Sequence, residues 1–258
     1  MVTYSNYSVL LIDNASTDES IEILQEEFPE VNILPLDLNY GYSGGMNMGI
    51  EHLKSDHPEY VLFLNNDITV APDFLDCLID GERQFDPDNI YGSQIYYSSN
   101  KEKIWFSGGN INFALGWITH QGIRKHDDGS FSENIFTDYI TGCCMLTSWD
   151  TVDTLGGFNS SFNMYGEDVD YCIRAQKTGK KCLVIPSSKI WHKVSASIGG
   201  NWSWKKNIRK FKSVLKLMQT HASITQKITG YPSIFLYSLI MVPVLIIKQI
   251  SLKLINDG

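Results

Sequence analysis

The residues with the clearest chemical potential are acids crowded into one predicted helical turn. Glu167, Asp168 and Asp170 lie within four positions, directly after Gly166. A helix dipole favours acids in its first turn by about 0.3–1 kcal/mol each, so simple capping is one interpretation. Three carboxylates this close also repel one another, which raises the pKa of one of them and prepares a general base. Arg174, four positions after Asp170, can pair with it and hold the turn.

A further acid, Asp67, follows Asn65 and Asn66 at the end of the apolar run 60–64. Ligands of open α/β sheets bind beyond the carboxyl ends of the strands, so Asn66 and Asp67 are candidate ligand contacts. A carboxylate there suits Mg²⁺ or Mn²⁺, which bind jointly with substrate phosphates. His192, at the end of another predicted strand, is a candidate second metal ligand. The alternatives are a plain strand-ending turn and a structural histidine.

The segment that begins at Asp13 joins a predicted strand, residues 8–12, to a helix. Asp13, Asn14 and Ser16 are polar side chains placed where such sheets bind ligands. Their oxygens are suited to the imide of a nucleotide base or to ribose hydroxyls. A simple turn that caps the following helix is the alternative, and the segment alone does not decide between them.

A glycine-rich turn over residues 39–45 precedes a predicted helix at 46–53. Asn39, Gly41 and Gly45 are candidates to line a nucleotide pocket, because glycine lets backbone N–H groups approach a phosphate or ribose. The spacing is neither that of a dinucleotide fingerprint nor that of a Walker loop. Close packing of the helix against a strand is the alternative.

An aromatic segment lies between residues 91 and 122 and is expected to form loops or hairpins over one edge of the sheet. Trp105, Phe106 and Trp117 in this segment are suited to stack on sugar faces, and core packing is the alternative.

The elements that position these residues alternate between strand and helix, which predicts an α/β fold with a mixed, mostly parallel sheet. Short apolar runs are typical of buried strands, and apolar residues at helical spacing mark the helices. The predicted strands cover 8–12, 31–36, 60–64, 141–147, 182–185 and 189–192, and the predicted helices 46–53, 72–84 and 167–178.

Composition narrows the class of protein. Hydrophobic residues make up 43% of the 258 residues, enough for a sizeable core, and the formal net charge is -8. Residues 1–200 carry 12 Lys and Arg against 28 Asp and Glu, so a nucleic-acid partner is not expected. The five cysteines form no C-x-x-C pair, and no basic start precedes an apolar run. We therefore expect neither a disulfide framework nor a signal peptide. The expected location is the cytoplasm, and the inner face of the membrane is one place there where the protein could act.

The tail, residues 201–258, differs from the domain predicted at 1–200. It carries nine Lys and Arg against one acid, Asp257. Residues 202–217 are basic and amphipathic, and the apolar run 234–247 is shorter than the roughly 20 residues that span a bilayer. We therefore predict a helical extension that makes peripheral membrane contact. Core packing or a contact within a homo-oligomer is the alternative.

Taken in order, these motifs resemble family 2 glycosyltransferases of the GT-A fold, and most of all the rhamnosyltransferase-like members. The matching sequence features are D-N-A-S-T-D, N-x-G-x-x-G-G, N-N-D after an apolar strand, G-E-D-x-D-x-x-x-R and W-H, which together cover residues 8–197. Each motif is modest, but five in this order are specific.

The resemblance implies a role for each matching residue. Asp168 is similar to the catalytic base, with Glu167 beside it near the acceptor. Asp67 is similar to the last acid of a D-x-D-type metal motif. His192 is similar to a histidine near the metal and diphosphate. Asp13 is similar to the acid that contacts the base or ribose, and Asn39 and Gly41 fall in the pocket-lining segment.

One feature of the family is not found in this sequence. Family members open with a strand and a helix before D-N-A-S-T-D, and that strand lies centrally in the sheet. Only seven residues precede the predicted strand at 8–12. We therefore expect the usual first strand to be missing and two strand edges to lack a partner strand.

These features predict an inverting, metal-dependent transfer of a sugar, rhamnose among the candidates, from a nucleotide-diphosphate donor to a hydroxyl acceptor. The acceptor is expected to be a glycan or a lipid-linked sugar in cell-surface polysaccharide synthesis. Two other functions stay open. One is a non-catalytic protein that binds nucleotide or sugar, and the other is a sugar-phosphate nucleotidyltransferase, although no basic glycine-rich loop for a triphosphate is visible.

Overall fold

The computed structural model describes residues 1–133, 135–162, 165–193 and 204–239. The apolar run predicted to reach residue 247 continues past 239 and so lies partly outside the described residues. In the first half of the chain, strands and helices alternate as expected. They are β1 (Leu10–Asp13), α1 (Ser20–Glu27), β2 (Asn32–Pro35), α2 (Gly41–Leu53), β3 (Tyr60–Leu64), β4 (Ile68–Val70) and α3 (Phe74–Gln84).

The second half is richer in strands and ends in a long helix. Its elements are β5 (Ile90–Tyr97), β6 (Asn100–Phe106), β7 (Gly109–Asn112), β8 (Trp117–His120), β9 (Ile135–Thr137), β10 (Cys144–Ser148), α4 (Trp149–Leu155), α5 (Glu167–Lys177), β11 (Cys182–His192) and α6 (Trp204–His221).

The main sheet is mixed, as predicted, but it is not mostly parallel. Its strands run in the order β3-β10-β5-β11-β4, with β6 on β5 and β9 on β11, and only β5 and β11 pair in parallel. The antiparallel pairing of β5 with β6 follows from their short connection, since β6 begins three residues after β5 ends and parallel neighbours need a long crossover. The other antiparallel pairs join strands that are far apart in sequence.

Strands β1 and β2 form a separate parallel pair. Within the described part of the chain, β1 pairs only with β2, and β3 only with β10, so each has one edge without a partner strand, as expected. Helix α2 packs closely on β1, because a Cβ at Gly49 would lie 2.4 Å from Cδ1 of Ile12.

Strand β11 is one interrupted strand and not the two predicted. It pairs with β5 along its length, but the ladder jumps from Ile185 to Lys189. Ser188 fixes the interruption, because its buried hydroxyl donates to the carbonyl of Phe74 at 2.7 Å and lies 2.7 Å from the hydroxyl of Ser93. The interruption leaves the last four residues of β11 in register with the end of β5.

The tail joins the core of the domain. Leu217 and Met218 of α6 are buried in the main hydrophobic cluster, together with Ile234. Residues 224–239 are helical, and this helix begins with a capping box in which Ser223 and Gln226 bond each other's backbone N–H groups. No helix among the described residues is long and apolar enough to cross a membrane.

The 224–239 helix has two contrasting faces. One face docks on the hairpin of β7 and β8, where Gly230 and Ile234 lie against Phe113 and Gly116. The other face carries exposed apolar side chains at helical spacing, namely Ile224, Ile228, Tyr231, Phe235 and Leu239. Packing against the domain thus accounts for the apolar residues on one face of this helix and not for those on the other.

Candidate active site

The acidic turn opens helix α5 through two residues of left-handed backbone. Tyr165 has φ 73° and Gly166 has φ 94°. A bulky residue rarely adopts such a φ, so the surrounding structure must hold Tyr165 in place. The turn delivers Glu167 and Asp168 as the first two residues of the helix.

Asp168 and Glu167 form a buried carboxyl pair with unequal partners. Asp168 accepts hydrogen bonds from the backbone N–H groups of Val169 at 2.8 Å and Gly142 at 3.1 Å. Oε2 of Glu167 is buried and has no hydrogen-bond partner among the described residues. Burial, followed by the charge of Asp168, raises the pKa of Glu167 to about 8. Burial also raises the pKa of Asp168, but the N–H donors oppose that rise. The pair therefore favours a protonated Glu167 and an ionised Asp168 at neutral pH.

Asp170 is not part of this pair. Its carboxylate accepts from Nε of Arg174 at 2.8 Å, which confirms the predicted pairing, and lies 2.8 Å from Nε2 of His221. The ammonium of Lys177 donates to Nδ1 of His221, so Nε2 carries the proton that Asp170 accepts. Burial alone would raise the pKa of Asp170, but these hydrogen bonds and the Arg174 charge lower it overall. The expected repulsion among three acids is thus confined to Glu167 and Asp168.

Asp67 and His192 lie together, as the metal hypothesis requires. Nε2 of His192 is 3.0 Å from Oδ1 of Asp67. Neither Oδ1 nor the buried Nδ1 of His192 has a well-aligned hydrogen-bond partner in the described residues. Burial lowers the pKa of His192, and the Asp67 carboxylate partly offsets this, so the imidazole is neutral at pH 7. Asn66, next to Asp67, is exposed.

These two side chains fit a divalent ion only as part of a shared ligand set. No group of three or more His, Cys, Asp or Glu side chains in the described part of the chain is arranged to hold a metal. An underused carboxylate oxygen and a neutral imidazole are nevertheless suitable donors. Mg²⁺ and Mn²⁺ commonly take one or two protein ligands together with substrate phosphate oxygens, so the pair fits that mode.

The segment 141–143 joins the metal candidates to the carboxyl pair, and the sequence did not point to it. The carbonyl of Gly142 accepts from the Tyr42 hydroxyl at 2.7 Å, while its N–H reaches Asp168. Burial raises the pKa of the Cys143 thiol, and the nearby charges of Asp67 and Asp168 raise it further. Asp67 and Asp168 therefore converge on one segment, although they are far apart in sequence.

The turn after β1 makes internal hydrogen bonds. Asp13 is buried, and its Oδ1 accepts from the backbone N–H of Ser16 at 3.0 Å, across Ala15 with φ 60°. Asn14 accepts from the N–H of Tyr40 at 2.8 Å and donates to the carbonyl of Gly41 at 2.9 Å. Asn14 thus ties this turn to the start of α2.

The glycine-rich segment is largely the first part of helix α2, which begins at Gly41. Asn39 is exposed, and its side chain accepts from the N–H of Gly41 at 3.0 Å. Gly45 is buried, and a Cβ there would lie 3.3 Å from Nδ2 of Asn14. Gly45 therefore serves the close packing that the sequence left as an alternative, while Asn39 and Gly41 lie at the surface side of the turn.

The aromatic segment separates into residues with different environments. Phe106 is fully buried, so core packing explains it, and Trp117 is 51% exposed. The Trp105 ring lies 4.7 Å from that of His192 and 4.8 Å from that of His120, both edge to face. Trp105 is therefore the aromatic residue positioned beside the metal candidates.

Trp191 faces away from this cluster. Its ring stacks on Tyr96, with centroids 6.1 Å apart, beside a cavity of about 490 Å³. The cavity is also lined by Lys101, Glu102, His126, Asp127 and Lys189. None of the predicted site residues lines it.

Residues 1–155 match the family described as Glycosyl transferase family 2. The chain is 26% identical over 220 residues to the N-acetylglucosaminyl-diphospho-decaprenol L-rhamnosyltransferase of Mycobacterium tuberculosis, and the match covers 77% of this chain and 70% of that protein. It is also 26% identical over 165 residues to the rhamnosyltransferase WbbL of Escherichia coli, covering 59% of this chain and 61% of the relative.

Solved structures share the fold at lower identity. GalNAc-T7, crystallised with UDP, GalNAc and Mn²⁺, aligns with a TM-score of 0.62 at 14% identity, covering 82% of this chain and 41% of the other. The mannosyltransferase PcManGT from Pyrobaculum calidifontis, in complex with GDP-Man and Mn²⁺, aligns with a TM-score of 0.55 at 15% identity, covering 83% and 54%. These similarities establish the predicted Rossmann-like GT-A fold.

The Glu167 carboxyl should make stability depend on pH in a direction that can be checked. A folded-state pKa of about 8, above that of the unfolded chain, stabilises the fold at low pH and loses that contribution as pH rises through 8. Glu167→Gln keeps the side chain neutral, so its unfolding free energy relative to the wild type should grow between pH 5 and pH 8. Urea denaturation at a series of pH values measures this. A difference that does not change with pH would contradict the assignment.

Proposed function

This chain belongs to glycosyltransferase family 2, and on that premise we propose that it moves a sugar, with rhamnose the first candidate, from a nucleoside-diphosphate donor to a hydroxyl acceptor. The observation that carries the proposal is the buried carboxyl pair, in which Asp168 accepts two backbone N–H bonds while one oxygen of Glu167 has no hydrogen-bond partner among the described residues. The identity to two rhamnosyltransferases supports the sugar.

Asp168 is the general base in this proposal. It takes the proton of the acceptor hydroxyl as that oxygen attacks the anomeric carbon. The bond from the anomeric carbon to the diphosphate breaks, and its electron pair leaves with the nucleoside diphosphate. Attack from the opposite face inverts the anomeric centre, so no covalent enzyme intermediate is needed. Glu167, protonated near neutrality, leaves Asp168 as the ionised member of the pair.

Asp67 and His192 are the residues that would hold a divalent ion. When bound, such an ion neutralises the charge that grows on the diphosphate leaving group. The protein contributes Oδ1 of Asp67, which has no well-aligned hydrogen-bond partner among the described residues, and the imidazole of His192, whose Nε2 lies 3.0 Å from that oxygen. The Mn²⁺ in the two structural neighbours supports this choice of ion.

The nucleotide is proposed to lie against the turn after β1 and the start of α2. Asp13, Asn14 and Ser16 border this region, together with Asn39 and Gly41. Asn14 ties the two segments together through Tyr40 and Gly41, which gives the pocket a fixed wall. Asn66 and Gly45 complete the proposed lining, with Gly45 acting through the packing of α2.

The acceptor is proposed to be a lipid-linked sugar presented at the cytoplasmic face of a membrane. The mycobacterial relative is named for a decaprenol-linked substrate. In this chain, the exposed apolar face of the 224–239 helix is suited to lie in a bilayer surface, and the excess of basic residues in the tail suits anionic headgroups.

Replacing the base should remove transfer without removing the donor. We expect Asp168→Asn to lower the rate of sugar transfer by about 10²- to 10⁴-fold, because its amide cannot accept the acceptor proton. Affinity for nucleoside diphosphate, measured by calorimetry, should stay within a factor of about two of the wild type. Asp153→Asn, an exposed acid of α4, is the matched control and should change neither quantity. Equal losses of transfer and binding would refute the role, and binding without transfer in the wild type would favour a non-catalytic protein.

Removing the metal carboxylate should abolish the effect of the ion on binding. With Asp67→Ala, Mn²⁺ should no longer strengthen nucleoside diphosphate binding, while binding without Mn²⁺ stays as in the wild type. Titration calorimetry with and without Mn²⁺ checks this, and Asp56→Ala, at an exposed position, serves as control. An undiminished Mn²⁺ effect would remove Asp67 from the site.

The exposed tail face should decide membrane attachment. We expect the wild type to float with vesicles of equal parts phosphatidylglycerol and phosphatidylcholine, and less with phosphatidylcholine alone. The double variant Ile228→Ser, Phe235→Ser should stay in the dense fraction, because both side chains are more than 60% exposed and supply apolar contact. Ile23→Ser on α1 is the control and should float. Flotation of the double variant would contradict a role of this face in membrane binding. A change from dimer to monomer in light scattering would instead assign this face to a contact within a homo-oligomer.

A further inference from the structure

Helix α6 lies along the loop that leads into the catalytic turn. Leu217 packs where a Cβ on Gly166 would be, at 3.1 Å from its Cδ1. The ammonium of Lys216 donates to the carbonyl of Ser161 at 2.6 Å. With His221 bound to the carboxylate of α5, the second half of α6 is fixed against the active site.

The preceding turn of α6 carries two cations toward the same site. The Lys210 ammonium lies 5.4 Å from the centroid of the Tyr165 ring, and Tyr165 is two residues before Glu167. Although Lys210 is exposed as a residue, burial around its ammonium lowers its pKa. Arg209 lies close enough for its charge to act on Tyr165, where burial is the larger influence on the pKa.

Lys210 also acts on the side of the site that holds the metal candidates. Burial is the main cause that lowers the pKa of His120 to about 4; the hydrogen bond with the Trp105 carbonyl opposes this lowering, and the positive charge of Lys210 adds to it. His120 packs edge to face on Trp105, which in turn contacts His192. The charge of Lys210 thus acts both at Tyr165 and on this aromatic group.

Within the described part of the chain, neither Arg209 nor Lys210 is paired with a carboxylate. No Asp or Glu of the described residues lies within ion-pair distance of Arg209 or Lys210. Two neighbouring positive charges, one of them partly desolvated, are stabilised by an anion that brings its own charge into the site. Phosphate groups suit such a pair, since arginine binds them in a bidentate manner and lysine as a point charge.

We propose that Arg209 and Lys210 form a binding site for a diphosphate group, supplied by the lipid-linked acceptor. The assignment to the acceptor rests on the function proposed above, in which the donor diphosphate lies at Asp67 and His192. It is supported by chain order, because α6 leads directly into the 224–239 helix with its exposed apolar face.

Binding of a soluble prenyl diphosphate tests the site. The protein is first saturated with Mn²⁺ and with the nucleoside diphosphate that gives the largest thermal shift, so that the donor site is filled, and farnesyl diphosphate is then titrated by calorimetry. We expect Lys210→Ala and Arg209→Ala each to weaken farnesyl diphosphate binding about tenfold. Lys212→Ala, an exposed lysine of the same helix, is the matched control and should bind as the wild type does.

Separate titrations distinguish the two sources of diphosphate. If Lys210→Ala and Arg209→Ala weaken nucleoside diphosphate binding and leave farnesyl diphosphate binding unchanged, the donor supplies the group and the proposal is overturned. An equal loss in Lys212→Ala would also overturn it, since only general charge would then be involved. If the wild type binds farnesyl diphosphate through these residues but transfers no sugar, the proposed function fails while the site stands.

Discussion

The rest of the site depends on the hydrogen bonds of the buried Asp170 carboxylate. It accepts one from Arg174 of its own helix and one from His221 of α6. Arg174 also donates to the carbonyls of Leu155 and Gly157, at 2.8 and 2.7 Å. One buried charge therefore joins the end of α4, the first turn of α5 and the tail helix. Removing one partner of such a buried charge is strongly unfavourable, so the three elements are held together. The geometry of the neighbouring Asp168 follows from that arrangement.

Glu167 and Asp168 are adjacent carboxyls that lie in opposite electrostatic environments. Backbone N–H donors stabilise the ionised form of Asp168, while Glu167, whose buried oxygen has no donor among the described residues, favours its protonated form. Gly142, whose N–H donates to Asp168, also accepts the hydrogen bond of the Tyr42 hydroxyl, so Asp168 and helix α2 share one backbone support. Hydrogen-bond donors favour the ionised form of one carboxyl, and their absence favours the protonated form of its neighbour, so two adjacent carboxyls acquire different pKa values and different roles.

The sequence predicted the residues whose chemistry follows from local position. Asp67 and Asp168 stand at a strand end and a helix start, and the i, i+4 pairing of Asp170 with Arg174 follows from helix geometry alone. Tyr42 and His221 could not be found in this way, because their partners are 100 and 51 residues away and only the tertiary fold brings them together. The strand directions were mistaken for a similar reason, since apolar runs reveal burial but not the direction in which a strand enters the sheet.

The interruption in β11 determines which side chain reaches Asp67. Three residues, 186–188, are left out of the ladder with β5, so His192 pairs with Tyr97 and shares the face of Ile185. Side chains alternate along a strand, and omission of an odd number exchanges the two faces for everything that follows. If β11 continued from Ile185 without a break, Lys189 and not His192 would pair with Tyr97. A relative whose strand paired without this break would therefore need its histidine at the position of Lys189 to present the same ligand.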